Sequence, residues 1–291
     1  MSAAIAAIVV VACAVLIGLT VPPLLRKRRR QRAFQSSLPP SMRATIDRNL
    51  PLVAALPPAE RHRLEGLVVA FLEEKQFVGC NGLEVTDEIR ATIAAQACLL
   101  LLGRPRGRVY DELQSILVYP GAFWVEDEVH DEDGLVTRRR RDLAGEAWDS
   151  HRIILSWEDV AESAQRMADG YNVVVHEFAH HLDAEGLGLA DGTRDPGAWH
   201  VELLEEYETL REAVERGEDT WLDPYGAEDE TEFFAVVTEE FVQCPADLRE
   251  AHPRLFGLMR DFYGIDPAAW RMDSGRQPST PRPAVPGGDF S

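Results

Sequence analysis

Cysteine is scarce in this 291-residue sequence, and none of it is paired: Cys13, Cys80, Cys98 and Cys244 form no CxxC pair. That argues against a cysteine zinc knuckle or a disulfide framework, and points to reduced thiols in a reducing compartment. Positive charge is short as well. Thirty Lys and Arg stand against 49 Asp and Glu, a formal net charge of −19. A body so acidic argues against a nucleic-acid partner and disfavours anionic substrates. No acid occurs in residues 1–32, and the six basic residues there (Arg26, Lys27, Arg28, Arg29, Arg30, Arg32) are bunched. Nothing basic precedes the apolar run Ala3–Val21. The run therefore lacks the charged leader of a cleaved signal peptide, and a lipoprotein reading through Val11-Ala12-Cys13 lacks it too. There is no internal repeat.

What is present starts with that run. Ala3–Val21 is uncharged, and with Pro22–Leu25 it reaches about 20 residues or slightly more, enough to span a bilayer. The expectation is an uncleaved transmembrane anchor over 1–25 followed by a basic juxtamembrane linker over 26–49. The positive-inside rule then puts the N-terminus outside and the body in the cytoplasm, as a single-pass protein of the cell membrane.

The length suits one large domain or two small ones, with an ample core. Gln31–Ser41 reads as linker. Ala59–Gln76 and Asp87–Leu102 have helical spacing, and the apolar end of the second, Ala94–Leu102, makes it central. Short runs of strand character follow at Ser115–Tyr119, Ala122–Val125, Leu135–Arg139 and Arg152–Trp157. Helical character returns from Glu158 to about Tyr263. The tail 271–291 is rich in Pro, Ser and Gly and reads as disordered. The body over 50–270 is therefore α+β, mostly helical, with a small sheet upstream of the helix that carries the chemistry.

That helix is expected over Tyr171–Asp183, with Gly186 as its stop. Its segment Val173-Val174-Val175-His176-Glu177-Phe178-Ala179-His180-His181-Leu182-Asp183 contains H-E-x-x-H. Residues four apart share a helix face, so His176 and His180 can place two imidazoles on one zinc ion. Glu177 is turned about 100° from His176 and can reach a water in the metal's open position without being a ligand. Two histidines and a glutamate on a buried face are costly to desolvate unless paired or metal-bound. His181 points away and is expected to be structural. Asp183 is expected to accept an N–H from a ligand histidine.

A catalytic zinc site needs a third protein ligand. No histidine sits at the spacing HExxHxxGxxH, and His200 and His252 lack a helical carboxylate setting. A helix from Glu228 carries Phe233, Val236, Val237 and Phe241 on its buried face, with Glu228, Glu232 and Glu239 on a neighbouring face. Glu232, at the border of the apolar stripe, is the leading candidate, and Glu239 is next.

His176–Asp183, Tyr225 and Glu232-Phe233-Phe234-Ala235-Val236 together resemble the Mlc titration factor A (MtfA-type) zinc peptidases. Phe71–Glu84 (FLEEKQFVGCNGLE), Tyr119–Glu128 (YPGAFWVEDE) and Tyr263–Trp270 (YGIDPAAW) add to the resemblance, which covers about residues 50–270. It implies a gluzincin-like, zincin-fold metallopeptidase, with metal ligands His176, His180 and Glu232, general base Glu177, and Tyr225 as a donor to the tetrahedral oxyanion. It also implies peptide or protein substrates and aminopeptidase-like behaviour. The family type binds a sugar-responsive transcription repressor and is soluble. The anchor expected here departs from that pattern, so the repressor partnership carries over poorly. Two rivals stand beside the peptidase: a zincin-fold binding protein that captures a regulatory partner, and a membrane scaffold whose metal is purely structural.

Overall fold

The computed structural model describes residues 3–105, 108–121, 123–130, 136–143, 145–149, 151–165, 170–184 and 195–270. The expected tail over 271–291 and the expected helix stop at Gly186 lie outside the described residues. The chain opens with α1 (Ala3–Ala33), α2 (Pro40–Asn49), α3 (Pro51–Ala54) and α4 (Pro58–Glu74). Next come β1 (Gln76–Gly79), α5 (Asp87–Leu99), β2 (Ser115–Tyr119), β3 (Phe123–His130), β4 (Val136–Leu143), β5 (Gly145–Asp149) and β6 (Arg152–Ser156). The rest is helical: α6 (Trp157–Gln165), α7 (Val173–Ala184), α8 (Pro196–Glu215), α9 (Glu230–Gln243), α10 (Pro245–Ala251) and α11 (Pro253–Tyr263).

Local chemistry sets these boundaries. Proline opens α2, α4, α8, α10 and α11, where its fixed φ suits the first turn and its missing N–H is no loss. Thr86, Asp195 and Asp229 cap α5, α8 and α9 through their side chains. Gly264 ends α11 at φ 66, in the left-handed region.

One sheet has the strand order β1-β2-β6-β5. β1, β2 and β6 run parallel, with Val78 opposite Leu117 and Leu117 opposite Ile154, and β5 closes the edge antiparallel to β6. Parallel neighbours need a crossover, which α5 supplies between β1 and β2. β3 and β4 form a separate antiparallel pair. The small sheet upstream of the H-E-x-x-H helix therefore stands as expected. β1 and β5 were not read from the sequence, because Gln76–Gly79 and Gly145–Asp149 lack the apolar runs that mark β2 and β6.

The core lies between the sheet and the helices. α5 is central as its apolar run predicts, with Ala91, Ile93, Ala94, Ala95, Ala97 and Cys98 all buried. Phe178 of α7 meets Tyr110 and Phe71 at ring separations of 4.7 and 5.8 Å, which anchors α7 over this core. α9 is anchored likewise by Phe234 and Phe241 against Tyr263. The chain passes so close at Gly103 that a Cβ there would stand 2.2 Å from the Tyr263 carbonyl oxygen. Only glycine fits at that crossing.

The expected membrane anchor is corrected. Among the described residues no helix is long and apolar enough to cross a membrane. α1 runs unbroken through the basic residues to Ala33, and its charged end is fixed to the acidic body. Arg30 is buried and pairs with Glu74 and Asp111, and Arg26 reaches Glu74 at 3.1 Å. Part of the charge assigned to a lipid surface is thus engaged in ion pairs within the fold. The single-pass membrane placement, with a cytoplasmic body, rested on that anchor and falls with it. Of the linker expected over 31–41, residues up to Ala33 complete α1 and Pro40 opens α2.

Lys75, between α4 and β1, is buried and donates to the carbonyl oxygens of Tyr110 and Leu113. Burial lowers its pKa from 10.5 to about 8. Between these values the unfolded chain holds the proton that the folded chain has released, so this group makes stability rise with pH. The stability of wild type relative to Lys75→Met should rise by about 2 kcal/mol from pH 8 to pH 10. Chemical denaturation of both proteins across that range tests it. A flat difference would place the lysine charge in solvent.

Candidate metal centre

α7 begins where the sequence prepares it to. Gly170 turns the chain at φ 76. The Asn172 side chain accepts the Val175 N–H at 3.0 Å, and its carbonyl oxygen accepts the His176 N–H at 2.9 Å. Val173, Val174, Val175, Phe178, Ala179 and Leu182 are buried. The helix is therefore held on most of its circumference, and only the face of His176 and His180 is partly open.

α9 packs against that face. Its cap, Asp229, accepts the N–H groups of Thr231 and Glu232 at 2.8 and 2.9 Å, and this fixes the first turn that carries Glu232. Glu232 Oε2 stands 3.0 Å from His176 Nε2 and 3.5 Å from His180 Nε2. The two Nε2 atoms are 3.1 Å apart. His176, His180 and Glu232 offer ligand atoms that all lie within 4.8 Å of one another.

The electrostatics fit a cation. His176 Nδ1 lies 2.7 Å from Glu239 Oε1. A carboxylate can only accept, so Nδ1 carries a proton; Nε2, 3.0 Å from Glu232 Oε2, either carries a second proton or, in the neutral ring, presents its lone pair to a cation. Two imidazole lone pairs and a carboxylate converging on one point repel unless positive charge sits among them. The same demand appears in the proton affinities. Burial opposes charge on His176, but Glu239 and Glu232 outweigh it and push its pKa up to about 10. Burial alone would raise Glu232, but hydrogen bonds from both imidazoles hold its carboxyl far below the usual range. The set suits a divalent metal ion with nitrogen and oxygen ligands.

Glu177 is buried beside these groups. Burial pushes its carboxyl up to about 7, Glu232 and Glu239 add to the rise, and the two histidines oppose it. A divalent cation at the ligand set would draw the value down again. Tyr225 lies in the 3-10 turn Pro224–Ala227, with its ring centroid 6.1 Å from that of His176. Burial, then Glu232 and Glu228, raise its phenol pKa, so it stays protonated and able to donate at neutral pH.

The chain matches the profile of the glucose-regulated metallo-peptidase M90 over residues 25–264, a span that contains all five of these residues. This chain belongs to that family. It is 40% identical over 247 residues to the uncharacterized protein slr2042 of Synechocystis sp., covering 82% of this chain and 89% of that one. It is 35% identical over 228 residues to the Mlc titration factor A of Pectobacterium atrosepticum (76% and 85% covered). The Klebsiella pneumoniae protein of the same name is 33% identical over 235 residues (78% and 88% covered). The MtfA-type resemblance thus holds over most of the chain, and a metallopeptidase family implies a metal.

One residue of this M90 chain sits differently from expectation. Asp183, expected to hold a ligand histidine, is exposed, and the carboxylate on His176 is Glu239 instead. His181 is buried with its ring 5.7 Å from that of Tyr110, the structural place expected of it. His252 lies against Trp221, and His200 is exposed on α8. Asn172 and Gln96 escaped notice. Asn172 precedes an apolar helical run, which is a cap signal. Gln96 is a polar residue within the buried apolar stretch of α5, and its only signal was that oddity.

Proposed function

We propose that the chain is a zinc peptidase whose body, residues 50–270, hydrolyses peptide bonds. His176, His180 and Glu232 are the zinc ligands, Glu177 is the general base, and Tyr225 is the oxyanion donor. The observation that carries this reading is the convergence of two imidazole nitrogens and one carboxylate oxygen at 3.0–3.5 Å, with a buried carboxyl next in sequence. Zinc bound there would polarise the scissile carbonyl and lower the pKa of the attacking water.

The chain's own residues do the rest. Burial raises the Glu177 carboxyl and a cation at the ligand set would draw it down again, which leaves a carboxylate able to take a proton from water at neutral pH and return it to the leaving amine. The phenol of Tyr225 keeps its proton and can donate it in a hydrogen bond where negative charge develops. The half-exposed position of Tyr225 leaves it within reach of a substrate. Substrates are peptides or proteins, and the acidic surroundings disfavour anionic ones.

The relatives' name, Mlc titration factor A, motivates a second reading, in which the fold captures a regulatory protein and peptide turnover is incidental. Peptide-library cleavage by the full chain with stoichiometric zinc separates the two. The first reading expects cleavage that a chelator abolishes and zinc restores. Cleavage indifferent to chelation, or none with zinc fully bound, would overturn it.

A further inference from the structure

Glu239 sits two turns beyond Glu232 on α9 and is buried. Both of its oxygens are used. Oε1 accepts the Nδ1–H of His176 at 2.7 Å, and Oε2 accepts the backbone N–H of Asn172, immediately before α7. Asn172 is buried too, and its side chain works at both ends. Oδ1 caps the Val175 N–H, while Nδ2 donates to Gln96 Oε1 of α5 at 2.7 Å. Gln96 in turn donates to the Thr92 carbonyl oxygen at 3.3 Å. A buried line of hydrogen bonds therefore runs from the central helix α5, through the cap of α7 and the side chain of Glu239, to His176.

We infer that Glu239 is a positioning residue of the metal centre, acting through His176. The inference rests on the reading of His176 as a ligand. Because the carboxylate accepts and cannot donate, it keeps the His176 proton on Nδ1 and leaves Nε2 free for the metal. Because its other oxygen is tied to the start of α7, it cannot swing away without stranding a buried N–H. The same side chain thus fixes the tautomer of the ring, the direction of the ring, and the spacing of the two helices that supply the ligands. Each buried member is satisfied only while its neighbours stay in place.

The test is zinc affinity of the full chain, measured by competition with a chromogenic chelator, for wild type and Glu239→Gln. Glutamine has one carbonyl oxygen for two donors and turns an NH2 toward the other, so affinity should fall about 10–100-fold. Affinity within two-fold of wild type would overturn the inference and leave the metal reading intact. Failure of wild type to bind zinc would overturn both. Should the variant not fold, the wild-type protein decides. Nitrogen-edited NMR of the zinc-loaded chain should show a slowly exchanging proton on His176 Nδ1, and a proton on Nε2 instead would refute the role.

Discussion

Glu177→Gln is expected to cut peptide turnover by about 10²–10⁴-fold with zinc still bound, the usual worth of a general base. Glutamine keeps the shape and polarity of the side chain but cannot take a proton. Glu177 is not among the three converging ligand residues, so zinc content should not change. Nor should the fold suffer. The carboxyl is buried and its pKa is raised by that burial, so a neutral isostere removes a group whose charged form the site already disfavours. Glu177→Asp should retain a little more activity, limited by reach. The measurements are initial rates on a cleaved library peptide and metal content by mass spectrometry. Turnover within a few-fold of wild type at equal zinc occupancy would sink the general-base role. Loss of zinc from Glu177→Gln would count against it too, by putting the glutamate in the metal's coordination.

The contrast between Glu177 and Glu239 shows what the sequence revealed and what it withheld. His176, Glu177 and His180 were legible because helical periodicity alone puts the first and last on one face. Glu232 was legible only as a border position on an amphipathic helix. That border position already put it ahead of Glu239, and the family resemblance strengthened the choice. The two glutamates lie seven residues apart on nearly the same face, so periodicity could not tell which of them points between the imidazoles and which stands behind one of them. The docking of α9 on α7 separates them: Glu232 Oε2 faces both Nε2 atoms, and Glu239 Oε1 lies behind the ring at Nδ1.

The same limit applied to the fold. Its α+β class, the central place of α5 and the existence of strands β2 and β6 follow from apolar runs and their lengths, whereas their parallel pairing does not. The edge strand β5 and the first strand β1 are defined by their neighbours rather than by their own residues. The anchor was read from an uncharged apolar run with a basic cluster after it, and that cluster was read without its partners. Glu74 and Asp111 are 44 and 81 residues away from Arg30 in sequence, and no local pattern joins them. Long-range ion pairs of this kind are invisible to composition.

Glu232→Ala should abolish stoichiometric zinc binding and peptidase activity together, while leaving a folded protein. The three proposed ligands differ in what else each supports. His176 is held by Glu239, so His176→Ala would strand a buried carboxylate, and any loss of metal would be mixed with a loss of stability of about 3–5 kcal/mol. Glu232 is partly exposed on the first turn of α9, and the cap of that helix is supplied by Asp229 rather than by Glu232 itself. Its removal leaves two imidazoles without the carboxylate that completes the set, and zinc sites keep three protein ligands when they are catalytic. The fall in affinity should exceed the roughly 10–100-fold that loss of an outer-shell partner costs, so Glu232→Ala and Glu239→Gln form a graded pair. Circular dichroism and thermal melting report the fold, chelator competition reports the metal, and library-peptide cleavage reports the chemistry. If Glu232→Ala binds zinc as wild type does while Glu239→Ala does not, the ligand is Glu239, and the assignment of the two glutamates is reversed.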